Sequence, residues 1–518
     1  MEEELRSLNT NKACRSGSVP TKILKEYSDI CSKPLLTIIN DGILSGKFDD
    51  TLKLADLVPI HKEGDTMHKQ NYRNVSLLPV VSKVFEKVMQ KQIGAHMDSF
   101  LSDFLCGYRK GYNSQYALLA MLEKWKKSYD KGGFGGAVLM DLSKAFDTIN
   151  HDLLIAKLHA YGFDKSALKL IKSYLSNRWQ RTKINTSFSS WMELILGVPQ
   201  GSILGPLLFN IFINDLFFII LESDICNFAD DNTLHVSAIR LDVLMNKLER
   251  AVMTALDWFE YNGMKPNARK CHLIVCGHKF ESMIAKIGEE NIVETHLVKL
   301  LGIFIDSKLT FDNHMDKICK TASTKLNALA RQCAILPFSR RKMLMNAFFD
   351  SQFSYCPLLW MFHNRTTNTR INKLHFRALR MVYQDDSSTF EELLTKNESV
   401  TIHHKNLQIL AIEMFKVING LAPQFMNEIF NLNENINKDN VSSTTRTQPQ
   451  FYNNSNPKKV YTGIETLKCL GPIIWQQVPN DAKGAISLPI FKNKIKKWNF
   501  PNCPCRLCKT YVPNLGFL

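Results

Sequence analysis

Ala137-Val138-Leu139-Met140-Asp141 and Phe228-Ala229-Asp230-Asp231-Asn232 are the two stretches on which the fold turns. The first is a short apolar run, released by Gly135-Gly136, of the kind that makes a buried strand, and it stops abruptly at an acid. The second lies between strand-like Asp224 to Phe228 and Thr233 to Val236, which sets two adjacent carboxylates at a hairpin tip. Taken singly, each is explained by turn chemistry, because aspartate at strand ends is commonplace. Taken together, three carboxylates at converging strand ends would repel one another unless divalent cations neutralised them. Hard oxygen donors suit Mg²⁺, and two such ions about 4 Å apart are the arrangement that promotes in-line displacement at phosphorus. The chemistry indicated is nucleotidyl transfer, which asks little covalent help of a protein.

Around this pair the pattern alternates. Leu244, Leu248, Val252, Ala255 and Phe259 predict a helix over Asp242 to Asn262 that stops at Gly263, followed by strands at Leu273-Ile274-Val275 and Leu300 to Ile305. An α/β core from about residue 135 to 305 results. Upstream, Ile23, Leu24, Tyr27, Ile30, Leu35, Ile38 and Ile39 predict a helical face over residues 20 to 48, broken at Gly42 and Gly46. A strand at Leu54 to Ile60 and helices around Val84 to Ile93 and Ala117 to Trp125 come next. The longest apolar tract, Ile203 to Leu221, is interrupted by Asn210, Asn214 and Asp215. It therefore reads as a buried helix, and no membrane partner is expected.

With 518 residues, 45% of them hydrophobic, the chain is long enough for about three domain equivalents. Lys plus Arg outnumber Asp plus Glu by 65 to 49, and the +16 balance favours a polyanion such as nucleic acid or an acidic membrane surface. Thirteen cysteines, an odd number without framework spacing, indicate a reduced, intracellular protein. The acidic start Met1 to Arg6 is unlike a signal peptide. From Lys308 to Tyr383 thirteen Lys or Arg face only Asp312, Asp316 and Asp350. Clustering on that scale points to a nucleic-acid groove more than to an ordinary solvated face. Residues 431 to 456 are Asn- and Ser-rich and read as a linker. At the far end, Cys503-Pro504-Cys505-Arg506-Leu507-Cys508 offers three thiols, but no His follows Cys508. Zinc would need a fourth ligand, so a partial or unused site is expected rather than a complete zinc knuckle.

Longer blocks carry a resemblance. Asn71-Tyr72-Arg73-Asn74-Val75-Ser76-Leu77-Leu78, Gly107-Tyr108-Arg109-Lys110-Gly111 and Val138 to Asp147 are followed by Gly197-Val198-Pro199-Gln200-Gly201-Ser202-Ile203-Leu204-Gly205-Pro206. Phe228-Ala229-Asp230-Asp231, Gly263-Met264-Lys265-Pro266-Asn267 with Lys270, and Leu300-Leu301-Gly302 complete the series. In this order they resemble the reverse transcriptases of non-LTR retrotransposons, jockey-like and related lineages. The resemblance implies an α/β (α+β) right-hand polymerase fold and RNA-directed DNA synthesis. Its partners would be an RNA template, a DNA primer and dNTPs, and its cofactor two Mg²⁺ ions held by Asp141, Asp230 and Asp231. It also implies a steric gate at Phe146, where RNA-copying RNA polymerases commonly carry Asp, and a Gln200-Gly201 loop against the templating pair and incoming nucleotide. Lys62 and Arg73 would contact the triphosphate, and Lys270 would protonate departing pyrophosphate. For Arg109, template phosphate contact and support of the fingers stand level.

The domains expected are a helical extension (1–50), fingers and palm (51–305), a basic helical thumb (306–390), a C-terminal region with the Asn-rich linker (391–500) and a Cys-rich tail (501–518). Such a protein would work in the nucleus or in a cytoplasmic ribonucleoprotein. Asn74 stands where the family usually has Pro, and Leu105-Cys106-Gly107-Tyr108 where it usually has Gln-x-Gly-Phe; neither change removes a catalytic group. The chain begins too close to the fingers for an endonuclease domain, which suggests a truncated copy. The competing reading is an idle element remnant that only binds nucleic acid.

Overall fold

The computed structural model describes the chain apart from residues 63, 143, 268–269, 279–281, 288–289, 433–450, 452–465, 497, 499, 501–502, 510, 513–515 and 518. It divides into two compact units. One comprises residues 1–108, 141–221 and 253–269, the other 109–140, 222–252 and 270–518.

The second unit is built on a four-stranded antiparallel sheet in the order Asp224–Phe228, Asp231–Ala238, Phe134–Met140, His272–Cys276. Its central strand begins earlier than the apolar run suggests, because both glycines belong to it. A Cβ on Gly135 would sit 2.5 Å from the Trp125 ring, and one on Gly136 would sit 2.7 Å from Leu244. Only hydrogen fits there, so the helices Ser114–Asp130 and Leu241–Tyr261 lie close against the strand. Leu244, Leu248 and Val252 are buried, as the helical spacing requires.

Beyond the sheet, Leu297–Leu300 and Ile303–Asp306 form a hairpin in place of one strand over Leu300 to Ile305. The two-residue connection Leu301-Gly302 has positive φ at both positions, which turns the chain sharply where an extended run was expected. Helices Asp312–Ala330, Phe338–Phe348, the short Pro357–Trp360 and Arg365–Tyr383 follow, and Leu326, Leu329, Ile371, Leu379 and Val382 are buried among them. Helix Ile402–Ile418 is largely buried, and Phe415 stacks on Phe491 at 4.3 Å. It is joined to helix Ser114–Asp130 through a hydrogen bond from the Tyr116 hydroxyl to Glu413. Most of the predicted linker at 431–456 lies outside the described residues.

In the first unit a mixed sheet runs Tyr72–Leu77, Ala55–His61, Trp179–Ile184, Ser187–Phe188, with Met192–Glu193 also paired to Trp179–Ile184. The apolar tract after Ile203 becomes helix Gly205–Ile213 and a short turn Leu216–Ile219. Two of the polar residues that interrupt it, Asn210 and Asn214, are buried hydrogen-bonders. Asn210 Nδ2 donates to Gly107 O, and Asn214 Nδ2 donates to Phe100 O and Tyr161 Oη. Near the N-terminus, helix Ser28–Ser45 passes through Gly42 and ends only at Gly46. Gly42 is there for space, since a Cβ would sit 2.9 Å from the Phe85 ring. Of the expected apolar face, Leu24, Leu35 and Ile39 are buried, whereas Ile23, Tyr27, Ile30 and Ile38 remain exposed. Among the described residues no helix is long and apolar enough to cross a membrane.

Candidate active site

In the second unit Phe228 pairs with Asp231, leaving Ala229 and Asp230 as a two-residue hairpin tip. Ala229 takes φ 59, a conformation strained for an L-residue and characteristic of tightly held functional turns. Below the tip, Asn227 Nδ2 donates to Ala229 O and Asn232 Oδ1, which holds the turn in shape. The central strand ends at Met140, whose register partner is Asn232, the residue after the two aspartates. His235, further along the same strand, is buried, and burial pushes its pKa down to about 4, so its imidazole stays neutral near pH 7. Lys270 is exposed just ahead of His272–Cys276.

Asp141, next after Met140, opens the first unit's 141–221 segment. Its carbonyl accepts a hydrogen bond from Asn267 N at 2.8 Å, and Leu142 bridges Pro266, so the Lys265-Pro266-Asn267 block lies alongside it. Downstream, the Gly197 to Gly201 loop is stitched on two sides. Gly197 N and Val198 N donate to Ile149 O and Phe146 O at 2.8 and 2.9 Å, while Gln200 O accepts from Ser76 N at 2.7 Å. Glycine is required at both ends. Gly197 (φ 81) leaves a Cβ only 2.6 Å from Phe146 O, and Gly201 (φ 120) one only 2.8 Å from Ser76 O. Gln200 Nε2 donates to Asp147 Oδ1 at 3.0 Å, and both line a cleft of about 270 Å³ with Asn74, Ser76 and Glu193. Asp147 and Ser76 stand inside the resembling blocks but carry no expected role; their part in holding the loop is visible only in three dimensions.

Phe146 is 7% exposed, stacked on Phe209 at 4.5 Å with Tyr108 edge-on at 6.0 Å. Its ring is thus braced by the buried Phe209 ring and met by the exposed Tyr108. Lys62 and Arg73 share one hairpin: Ile60 pairs with Arg73, and Lys62 N donates to Asn71 O. Strand alternation sets them on the same face of the ribbon, opposite the Asn74 and Ser76 face that lines the cleft.

A positioning residue that sequence reading missed is Glu86. Fully buried, it accepts from Ile203 N, Leu204 N and Ser82 Oγ, so its carboxyl holds the two residues that join the glycine loop to helix Gly205–Ile213. Burial raises its pKa, opposed by nearby Arg178 and by the amides it accepts from. The signal available beforehand was only a Glu inside an apolar helix.

The basic segment also sorts itself in the structure. Arg341 is buried, its guanidinium donating to Val382 O and Leu336 O, so it is a structural residue. By contrast, Arg370, Lys373, Arg377 and Arg380 follow one stripe of helix Arg365–Tyr383, and the last three line a cleft of about 550 Å³.

Residues 60–305 match the family described as reverse transcriptase (RNA-dependent DNA polymerase). Over these residues the chain is similar to reverse transcriptase domains, and its mixed α/β architecture fits the right-hand polymerase fold. The RNA-directed DNA polymerase from mobile element jockey of Drosophila melanogaster is 25% identical over 62% of this chain and 36% of its own length. The probable RNA-directed DNA polymerase from transposon BS of the same fly is 25% identical over 76% and 46%. The alignments span less than half the length of these relatives. Among solved structures, an apo telomerase from Candida tropicalis truncated from the C-terminal domain aligns with TM-score 0.35 and 13% identity, covering 50% of this chain and 54% of that one.

Proposed function

We propose that the chain acts as an RNA-directed DNA polymerase, adding dNTPs to a DNA primer 3′ end on an RNA template, with Asp141, Asp230 and Asp231 as its metal-binding carboxylates. The observation that carries this reading is the register Met140 to Asn232, which brings the strand preceding Asp141 level with the hairpin bearing Asp230-Asp231. Carboxylate oxygens are the donors that a hard divalent cation takes. When bound, a Mg²⁺ pair supplies activation of the primer hydroxyl and charge neutralisation of the leaving pyrophosphate.

The chain's own side chains do the rest. The Gln200-Gly201 loop, with glycine permitting close backbone approach, sets the base pair being formed. The Phe146 ring excludes a 2′-hydroxyl, and Lys62 and Arg73 draw in the triphosphate, arginine by bidentate geometry. Lys270 donates a proton to the leaving group. Residues 51–305 supply fingers and palm, and the basic helices of 306–390 a thumb on the nascent duplex.

Purified chain should extend oligo(dT) on poly(rA) with Mg²⁺. Asp230→Asn or Asp231→Asn should abolish extension while leaving template-primer affinity nearly unchanged, because phosphate contacts use other groups. Parallel loss of binding and extension would assign the aspartates a structural role.

A further inference from the structure

The cysteine-rich tail finds the missing fourth donor far upstream. A ring nitrogen of His403 and the sulfurs of Cys503, Cys505 and Cys508 all lie within 4.8 Å of one another. His403, Cys503 and Cys505 are buried and Cys508 is half-buried. His403 stands in the first turn of helix Ile402–Ile418, which is capped by Thr401. From the tail side, Pro504 separates two of the cysteines, and the turn Arg506–Lys509 brings Cys508 back over them. Cys508 N donates to Cys505 Sγ at 3.4 Å, and that sulfur lies 3.2 Å from His403 Nε2.

We propose that His403, Cys503, Cys505 and Cys508 form a structural Zn²⁺ site. A tetrahedral zinc with Zn–S bonds of about 2.3 Å sets its sulfurs about 3.8 Å apart, so a cluster already confined within 4.8 Å needs only small side-chain movements to close on the ion. Cys₃His is a structural donor set, soft enough to select zinc over the hard cations a carboxylate site takes. The backbone amide donating to Cys505 Sγ is the kind of contact that stabilises a ligating thiolate. Four protein donors leave no open position, which excludes a catalytic role for this metal.

The surroundings show what the ion would hold. Gln408 Nε2, one turn along from His403, donates to Lys496 O and Trp498 O, both at 2.8 Å. Arg506 Nη2 donates to Phe362 O at 3.1 Å, and Leu507 is buried. The tail is therefore laid against the helices of the second unit by a few hydrogen bonds. Zinc would lock it there by closing a loop of about one hundred residues, from His403 to Cys503.

The test uses the full chain, purified under reducing conditions and loaded with zinc. Elemental analysis should find one zinc per chain in wild type and in Cys469→Ser, a buried cysteine outside the cluster. His403→Ala and the double variant Cys503→Ser/Cys505→Ser should fall to background. Because those variants risk misfolding, Co²⁺ is also titrated into chelator-stripped wild type, where tetrahedral ligand-field bands and thiolate charge transfer are expected. Cys508→His, which keeps four donors, should bind the ion with weakened charge transfer. Trypsin should cut the tail faster after chelation. The proposal is overturned if wild type takes up neither zinc nor tetrahedral cobalt, if iron replaces zinc, if the double variant keeps its full metal, or if the tail cysteines isolate as a disulfide.

Discussion

Gly201→Ala tests the glycine loop most directly, because the structure gives each term of its effect. At φ 120 an alanine sits outside the regions an L-residue adopts freely, at about 1–3 kcal/mol of strain. Its Cβ would also lie 2.8 Å from Ser76 O, a backbone atom with no rotamer to escape into. Relief requires the loop and strand Tyr72–Leu77 to part, which stretches the 2.7 Å bond from Ser76 N to Gln200 O, worth about 0.5–1.5 kcal/mol. The two effects together amount to roughly 1.5–4.5 kcal/mol. If the loop absorbs the strain locally, the loss appears as a fall of about ten- to two-thousandfold in kcat/KM for dTTP on poly(rA)/oligo(dT), at nearly unchanged denaturation midpoint. If the fold absorbs it, the midpoint falls instead. Steady-state single-nucleotide extension measured beside urea denaturation separates the two. A variant matching wild type in both, within about twofold in kcat/KM, would refute the claim that Gly201 is needed for backbone approach.

Phe146→Val is expected to raise the ratio of ribonucleotide to deoxyribonucleotide incorporation; valine is preferred because truncating a buried Phe to Ala costs about 3–5 kcal/mol. An unchanged ratio with lowered stability would leave Phe146 a core residue alone. Lys373→Gln with Arg377→Gln should make the log-log salt dependence of template-primer affinity shallower by about 0.7 for each single-strand phosphate left without its cation, and an unaltered slope would locate the groove elsewhere. Glu86→Ala strips the buried acceptor from the Ile203 and Leu204 amides that lead into helix Gly205–Ile213, so equilibrium denaturation should report a drop in stability of about 1–3 kcal/mol. A drop below about 1 kcal/mol would show that the helix start is satisfied without it.

Much of this architecture was legible because it is encoded over short distances. The apolar run before Asp141, the paired acids inside a hairpin and the helical spacing from Leu244 to Phe259 each declare an element within a few residues. Errors arose where one residue served two readings. Gly42 looks like a helix stop until the Phe85 ring is seen against it, and Gly135-Gly136 look like a lead-in until Trp125 and Leu244 close over them. In both cases the glycine is chosen for packing space, and sequence cannot separate that from backbone freedom. Leu300 to Ile305 misled for a related reason: an apolar run with a single glycine is consistent with a strand, but the positive φ of Leu301 and Gly302 folds it into a hairpin.

What stayed hidden is set by separation along the chain rather than by weakness of signal. Glu86 lies far before the Ile203 and Leu204 amides it holds, and its place among the apolar residues of its helix says nothing of those partners. Separation along the chain hides the tail's partner even more completely. Cys503, Cys505 and Cys508 announce a metal-ligand spacing, yet a search for the fourth donor among their neighbours fails because it is His403, carried in from another helix. A local motif with one donor too few is therefore a statement about the fold as much as about the site. If the incomplete trio binds metal, some other element must be packed against it, and helix Ile402–Ile418 fulfils that requirement.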